Sequence, residues 1–274
     1  MNILSRILLA SVLSWAPVHR CVAADPARQA FADVLSQVAD LFEVKAGPSR
    51  TLMTVVEVVY ARGWDAGLVG RPVSVAFQAP DRLQLAAKLG KDDVWAGRDG
   101  QEIWSCRPGK GPALIGAPGV KHNATRADAG IVRLAPVQMP WSAQQLVLLP
   151  YVCQVDGLPD QVVEGVRCRV VRARPLAQAK AALQVPAFTL TLWLRDGEPL
   201  PVRIAYEGED GTAATIAFRQ TRLVRAWAAA RWKVPPVAGA KAERVALSQV
   251  RKAIPPVLEV FLTPASLPVQ AVGN

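Results

Sequence analysis

Histidine and cysteine are scarce in this chain of 274 residues, which contains 2 histidines and 4 cysteines. Beyond residue 24 the remaining histidine is His122, which lies in a stretch rich in glycine and proline. With one histidine in this part of the chain, the sequence gives little support to a catalytic serine–histidine pair or to a histidine-ligated metal site. The later cysteines, Cys106, Cys153 and Cys168, do not have metal-ligand spacing. We therefore expect neither catalysis nor a metal or other cofactor.

Long apolar runs are also lacking after the N-terminal segment. Residues 1–24 have the features of a secretory signal: Arg6, an apolar run of signal length, and Ala23-Ala24 before Asp25. The sequence thus predicts a periplasmic protein with a cleaved signal peptide at 1–24, and an uncleaved anchor is the alternative. In that oxidising compartment, proximity favours a disulfide between Cys153 and Cys168, while three buried free thiols is the other interpretation.

Acidic residues are outnumbered, with 22 against 32 lysines and arginines and a net charge of +10. Removing residues 1–24, which carry two arginines and no acid, leaves 10 − 2 = +8. Such a charge favours anionic partners. A basic and aromatic group near the end of the predicted sheet is either a docking surface for an anionic membrane or a solvated strand face: Arg219, Arg222, Arg225, Arg231, Lys233, Trp227 and Trp232. Export argues against nucleic acid as the partner.

The periodicity changes from helical to strand-like along the chain. Asp25-Pro26 predicts a helix start, and apolar residues then recur at three- and four-residue steps until Gly47-Pro48. From residue 50 onward, short alternating segments are separated by turns, which predicts an antiparallel meander. Within it we expect a long loop at 107–130 and a strand at 162–173, and after it a helix at 240–253. The clearest hairpin is 187–206, in which two alternating arms flank Asp196-Gly197. The helix stripe must lie on this sheet, because such a helix is unstable alone.

Five motifs in order resemble the periplasmic lipoprotein-carrier superfamily of LolA, LolB and RseB. They are VAFQAPDRLQL at 75–85, RDGQEIW at 98–104, GVRCRVV at 165–171, TLWLRDG at 191–197 followed by Leu200-Pro201, and WKVPP at 232–236. The resemblance implies an α+β fold: a strongly curved antiparallel sheet, an unclosed barrel, covered by helices. In the carrier, an arginine directly before the proline of the first motif holds the lid. Here that position is Ala79.

The resemblance also implies an apolar cavity for acyl chains between the sheet and the helices. The expected cavity wall is Val73, Val75, Phe77, Leu83, Leu85, Phe188, Leu190, Leu192 and Leu194. The expected helix lid is Phe31, Val34, Leu35 and Val38. The alternative is that these side chains only pack against one another as an ordinary core.

The sequence therefore predicts three parts: the signal peptide at 1–24, a lipid-binding domain at 25–236 and a C-terminal extension at 237–274. The first functional hypothesis is a periplasmic carrier that binds a lipid or an acylated lipoprotein. The second is a sensor or regulator similar to RseB, which acts through an inner- or outer-membrane partner protein and uses the extension. An envelope hydrolase is the third hypothesis, without a nucleophile that the sequence nominates.

Overall fold

The computed structural model describes residues 25–43, 50–64, 67, 69–119, 133–134, 137, 143–179, 187–236, 241–255 and 258. The predicted signal segment 1–24 lies outside these ranges. Three α-helices are described: α1 (Pro26–Phe42), α2 (Ala143–Val152) and α3 (Leu247–Ala253). The strands are β1 (Arg50–Arg62), β2 (Val73–Gln78), β3 (Arg82–Leu89), β4 (Asp92–Asp99), β5 (Glu102–Cys106), β6 (Ala113–Gly116), β7 (Cys153–Val163), β8 (Val166–Pro175), β9 (Phe188–Leu194), β10 (Arg203–Gly208), β11 (Ala213–Arg225) and β12 (Ala242–Arg244). None of the described helices has the length and apolar character needed to cross a bilayer.

Within the described residues these strands form one sheet in the order β12-β6-β5-β4-β3-β2-β1-β11-β10-β9-β8-β7. Neighbouring strands are antiparallel except for β12 and β6, which pair in parallel. The two edge strands, β12 and β7, do not pair with each other, so the sheet is not closed. The predicted fold class, an open, curved and mainly antiparallel sheet with helices on it, is confirmed.

Turn residues explain why the consecutive strands fold back on each other. Gly90, Gly100 and Gly197 have positive φ angles of 65°, 63° and 81°, a conformation that glycine adopts without the steric cost of a side chain. These glycines follow β3, β4 and β9, and each is followed by a strand antiparallel to the one before it. The predicted hairpin at 187–206 is confirmed as β9 and β10.

The pairing register assigns every side chain to one of two faces. Val171, Leu192, Ile204, Ile216 and Val58 lie directly opposite one another across five neighbouring strands. Directly opposed residues point to the same side of a sheet. The three α-helices pack on this side, which we call the covered face, and the opposite side is the outer face.

Helix α1 begins and lies as its sequence predicts. The Asp25 side chain caps it, accepting a hydrogen bond from the backbone N–H of Ala27 at 3.0 Å, and Pro26 occupies the first helical position. Phe31 and Leu35 are buried on the sheet, and Val34 and Val38 pack beside them at partial exposure. The predicted amphipathic helix and its contact with the sheet are therefore confirmed.

Three local predictions are wrong. The single strand expected at 162–173 is the second arm of a hairpin, because Glu164-Gly165 turns the chain between β7 and β8. The loop expected at 107–130 contains β6. The helix expected at 240–253 is β12 followed by the shorter helix α3. Strand β12 extends the sheet, and α3 packs in the core on it.

The predicted disulfide between Cys153 and Cys168 is also wrong. Cys106, Cys153 and Cys168 are buried free thiols, which is the alternative that the sequence left open. In the β7–β8 hairpin Cys153 lies opposite Pro175, seven residues along β8 from Cys168. At roughly 3.3 Å per residue, that separation far exceeds the reach of a disulfide, which is about 7 Å between Cα atoms.

Candidate functional site

Two packed clusters occupy the covered face. The first cluster joins β1–β5 to helix α3 and contains four of the predicted cavity residues, Val73, Phe77, Leu83 and Leu85. They are only 0–5% exposed, and Val75 packs against the same cluster at partial exposure. Leu247, Val250, Ile254 and Leu258 supply the side of the cluster that faces the sheet. This part of the predicted cavity wall is thus filled by the protein itself.

The second cluster joins helices α1 and α2 to β7–β9. Leu192 is at its centre with 2% exposure, and Leu190 and Leu194 pack against it at partial exposure. All four predicted lid residues of α1 belong to this cluster: Phe31, Val34, Leu35 and Val38. The structure therefore brings the predicted lid together with one half of the predicted wall and separates it from the other half.

Helix α1 crosses from the second cluster to the first. Its residues up to Ala39 pack in the second cluster, while Leu41 and Phe42 pack against the first. The rings of Phe42 and Phe77 are 4.7 Å apart between centroids and tilted by 34°. The helix thus contacts both clusters of the covered face.

A strip of half-buried apolar side chains lies between the two clusters, which we call the central strip: Val58, Ile204, Tyr206, Ile216 and Phe218. Among the described residues, only Ile204 of this strip packs against either cluster. Phe188, another predicted wall residue, stacks on Tyr206 with ring centroids 6.2 Å apart. Among the described residues, the strip is thus a stretch of the covered face whose apolar side chains stay partly exposed.

The chemistry of the central strip suits an acyl chain. Its side chains are apolar apart from the Tyr206 hydroxyl group. Burial of each methylene group of a ligand against such a surface gains about 0.8 kcal/mol. Sequence analysis missed Val58, Ile216 and Phe218 because β1 and β11 pair over more than 150 residues of chain, a contact that local periodicity does not encode.

Arg98 holds the backbone at Leu134, which belongs to the connection between β6 and α2, against the covered face. Its side chain is 2% exposed, donating from Nε to the Gly100 carbonyl at 2.9 Å and from Nη2 to the Leu134 carbonyl at 3.2 Å. Gln101 exchanges two further hydrogen bonds with the backbone of Leu134. Burial lowers the pKa of Arg98, and the nearby Asp81 carboxylate opposes that shift.

The same segment is attached at a second point, where the Val137 N–H donates to the Pro80 carbonyl at 3.1 Å. Pro80 belongs to the motif in which the carrier superfamily has its lid-holding arginine and this chain has Ala79. We call Arg98 and its two carbonyl partners the Arg98 latch.

The predicted basic and aromatic group on the outer face forms in part. The rings of Trp227 and Trp232 are 5.0 Å apart, and the Arg231 guanidinium lies 4.2 Å from the centroid of Trp227. Arg219 is engaged elsewhere, in ion pairs with Glu57 at 2.9 Å and Glu164 at 2.8 Å. In the part of the chain that the structure describes, no group of three histidine, cysteine or acidic side chains is arranged to hold a metal ion.

Comparisons with known proteins give structural neighbours at low identity. No family model matches the sequence, and no curated protein matches it. A chain of the MucA/MucB complex of Pseudomonas aeruginosa is 16% identical, with 75% of this chain and 61% of that chain covered and a TM-score of 0.39. This chain thus spans less than two thirds of that protein.

Two further solved structures cover their own chains almost completely. LprF from Mycobacterium bovis is 13% identical over 78% of this chain and 99% of its own, with a TM-score of 0.40. A LolA superfamily protein from Nitrosomonas europaea is 9% identical over 74% of this chain and 97% of its own, with a TM-score of 0.31.

Proposed function

We propose that this protein is a periplasmic carrier that binds a lipid, or the acyl chain of a lipoprotein, on the covered face of its sheet. The observation that carries the proposal is the central strip, whose apolar side chains stay half-buried between two packed clusters. Helix α1 packs in both clusters that border this strip, and Arg98 donates a hydrogen bond to the Leu134 carbonyl. The ligand enters between helix and sheet and contacts β1, β10 and β11.

The first test is mass spectrometry of organic extracts from protein purified out of its native periplasm without detergent. A phospholipid, glycolipid or acylated species at about one molecule per protein, within the range expected of a specific site, supports the carrier. A folded protein that carries no such ligand contradicts tight binding and favours the second candidate below.

A matched pair of variants locates the ligand on the sheet. Ile216 points to the covered face and is half-buried, whereas its neighbour Thr215 is half-buried on the outer face. Ile216→Trp fills the central strip, so we expect it to reduce the amount of bound lipid by about tenfold, the effect of about 1.4 kcal/mol. Thr215→Trp adds the same bulk to the other face and should leave lipid binding unchanged. Equal lipid content in both variants would place the site elsewhere.

A second candidate function is a sensor or regulator that binds a partner protein, similar to RseB. It is favoured by helix α2, on which Val147, Leu148 and Tyr151 are 52%, 51% and 70% exposed. Large exposed apolar groups on one short helix are typical of interaction surfaces. If the protein is such a regulator, Leu148→Asp together with Tyr151→Asp should abolish capture of its membrane partner. If it is a carrier, the same variant should keep its normal lipid content.

A further inference from the structure

The outer face carries a groove of about 280 Å³ that is separate from the covered-face site. Its floor is formed by β1–β3 and combines apolar residues such as Met53, Ala76 and Ala86 with the polar Ser74 and Gln84. Trp95 of β4 and Trp227, just after β11, form aromatic walls, and Arg222 of β11 adds a guanidinium group to the lining. A concave site of this size with mostly apolar walls and a few polar groups is typical of small-molecule binding.

The register shows how residues distant in sequence meet in this groove. Trp95 lies opposite Ala86, and Met53 lies opposite both Ala76 and Arg222, so these side chains share the outer face. That face is opposite the central strip. A ligand in the groove and an acyl chain on the covered face are therefore separated by the thickness of the sheet.

The aromatic wall at Trp227 is held in place by its neighbours. Its backbone N–H donates to the Thr51 hydroxyl group at 3.2 Å, and its ring packs on Trp232. Trp232 is fully buried and its carbonyl accepts a hydrogen bond from Trp104 Nε1 at 2.8 Å. Trp227 is nevertheless half-buried rather than buried, so part of its indole is available to a ligand.

A bulge in β11 shapes the wall that contains the arginine. The β1–β11 register shifts between the Met53–Arg222 and Val55–Arg219 pairs, and Gln220, which lines the groove, has a φ of +54°. A positive φ at a residue other than glycine stores strain, and bulges redirect side chains beside binding sites. The bulge leaves Arg219 with its two carboxylate partners and Arg222 at the groove.

The electrostatics of the groove favour a negative charge. Its lining contains one cation, Arg222, and no carboxylate. Among the described residues no acidic side chain forms an ion pair with Arg222, in contrast to Arg219. A guanidinium beside apolar and aromatic surface is suited to bind an anionic group whose body rests on the indoles.

From this geometry we propose that the groove is a second binding site, for a small amphiphile that joins one anionic group to a compact aromatic or aliphatic body. Arg222 binds the anionic group, and Trp95, Trp227 and Met53 contact the body. The proposal is independent of the carrier function, because it uses the opposite face of the sheet.

The probes are 8-anilinonaphthalene-1-sulfonate and its neutral analogue N-phenyl-1-naphthylamine, which has the same rings without the sulfonate. Binding of both to the full chain is measured by titration calorimetry. Arg222→Gln should weaken binding of the sulfonate by about tenfold, as expected for one charge-assisted hydrogen bond, and leave the neutral probe unaffected. Arg225→Gln is the matched control, because Arg225 is an exposed arginine of the same strand that does not line the groove.

Two bulky substitutions separate this site from the carrier site. Ala86→Trp fills the floor of the groove and should abolish sulfonate binding there, while Ile216→Trp on the covered face should leave it unchanged. Sulfonate binding that withstands both Arg222→Gln and Ala86→Trp overturns the proposal. Loss of binding in Ile216→Trp alone also overturns it and assigns the probe to the covered face. A failed lipid extraction has no bearing on either result.

Discussion

The Arg98 latch joins one buried side chain to the backbone of Leu134. Arg98→Met keeps the length and apolar stem of the side chain and removes its hydrogen bonds to the Gly100 and Leu134 carbonyls. Because the change leaves these buried carbonyl groups without the Arg98 donor, we expect the free energy of unfolding to fall by about 1–3 kcal/mol. Hydrogen exchange at the Leu134 and Val137 amides should accelerate by about tenfold, as the loss of about 1.4 kcal/mol of local stability implies.

The control for the latch is Arg82→Met on the neighbouring strand. Arg82 pairs with Asp99 at 3.1 Å on a partly exposed surface and does not contact the Leu134 segment. Its replacement should leave exchange at Leu134 and Val137 unchanged. If Arg98→Met also leaves exchange unchanged, the segment is held by Gln101 and Pro80 alone and the latch has no role.

Cys153 gives the protein a pH dependence that can be measured. Burial raises the pKa of this thiol from 9.0 to about 11. Because the unfolded chain loses the proton at lower pH than the folded protein, stability from this group is complete below pH 9 and is lost as the pH rises to 11. We expect ionisation of this thiol to lower the free energy of unfolding by about 2 kcal/mol as the pH rises from about 8 to about 10.5.

Urea unfolding of the native chain and of Cys153→Ala at these two pH values isolates the effect. Tyrosines and lysines also titrate in this range, but they do so equally in both proteins. The stability difference between the two should therefore shift by about 2 kcal/mol in favour of the variant at high pH. A difference that is the same at both pH values would show that the Cys153 thiol is not protected from ionisation.

At the scale of elements, helix α3 is part of the main core although it follows the closing Pro235-Pro236. Leu247 is 1% exposed, and a Cβ atom on Gly116 of β6 would lie only 3.0 Å from its Cα atom. Leu247→Ala should therefore cost about 2–5 kcal/mol in urea unfolding. Lys252→Ala, at an exposed position of the same helix, should stay within about 0.5 kcal/mol. Equal effects would mean that the helix does not pack as described.

This packing has a consequence for the predicted extension at 237–274. Truncation after Pro236 removes Leu247, Val250, Ile254 and Leu258 from the first cluster, so it disrupts the core as well as any partner surface. A partner of the extension is better sought with exposed substitutions such as Lys252→Glu. The domain boundary at 236 stays a prediction.

Elements defined by local signals were predictable from the sequence, and elements defined by distant partners were not. The hairpins at Gly100 and Gly197 follow from a turn residue and two alternating arms. By contrast, β6 has four residues and is a strand because it pairs with β5 and β12. Strand β12 has three residues and is a strand because it pairs with β6. Short strands of this kind carry no periodicity of their own.

At the scale of the whole molecule, the same limit decided how much of the candidate site could be predicted. Alternation identified which side chains of β2, β3 and β9 face the helices, and all of them do lie on the covered face. It could not show that α3 fills the first half of that face. The central strip lies instead on β1, β10 and β11. There the β1–β11 pair joins strands β1–β6 to strands β7–β11 in the middle of the strand order.

The net charge of +10 is a property of the whole molecule that predicts its behaviour at membranes. Basic side chains near an anionic bilayer contribute about 1 kcal/mol each, and salt screens them. The protein should therefore sediment with vesicles of phosphatidylglycerol at low ionic strength, be released at about 0.5 M salt, and ignore vesicles of phosphatidylcholine. Arg231→Gln with Lys233→Gln, at exposed positions beside Trp227 and Trp232, should weaken sedimentation by about tenfold, and Arg28→Gln, at an exposed position of the packed helix α1, should not. Sedimentation that is equal on both lipids, or insensitive to salt, would contradict an electrostatic docking surface.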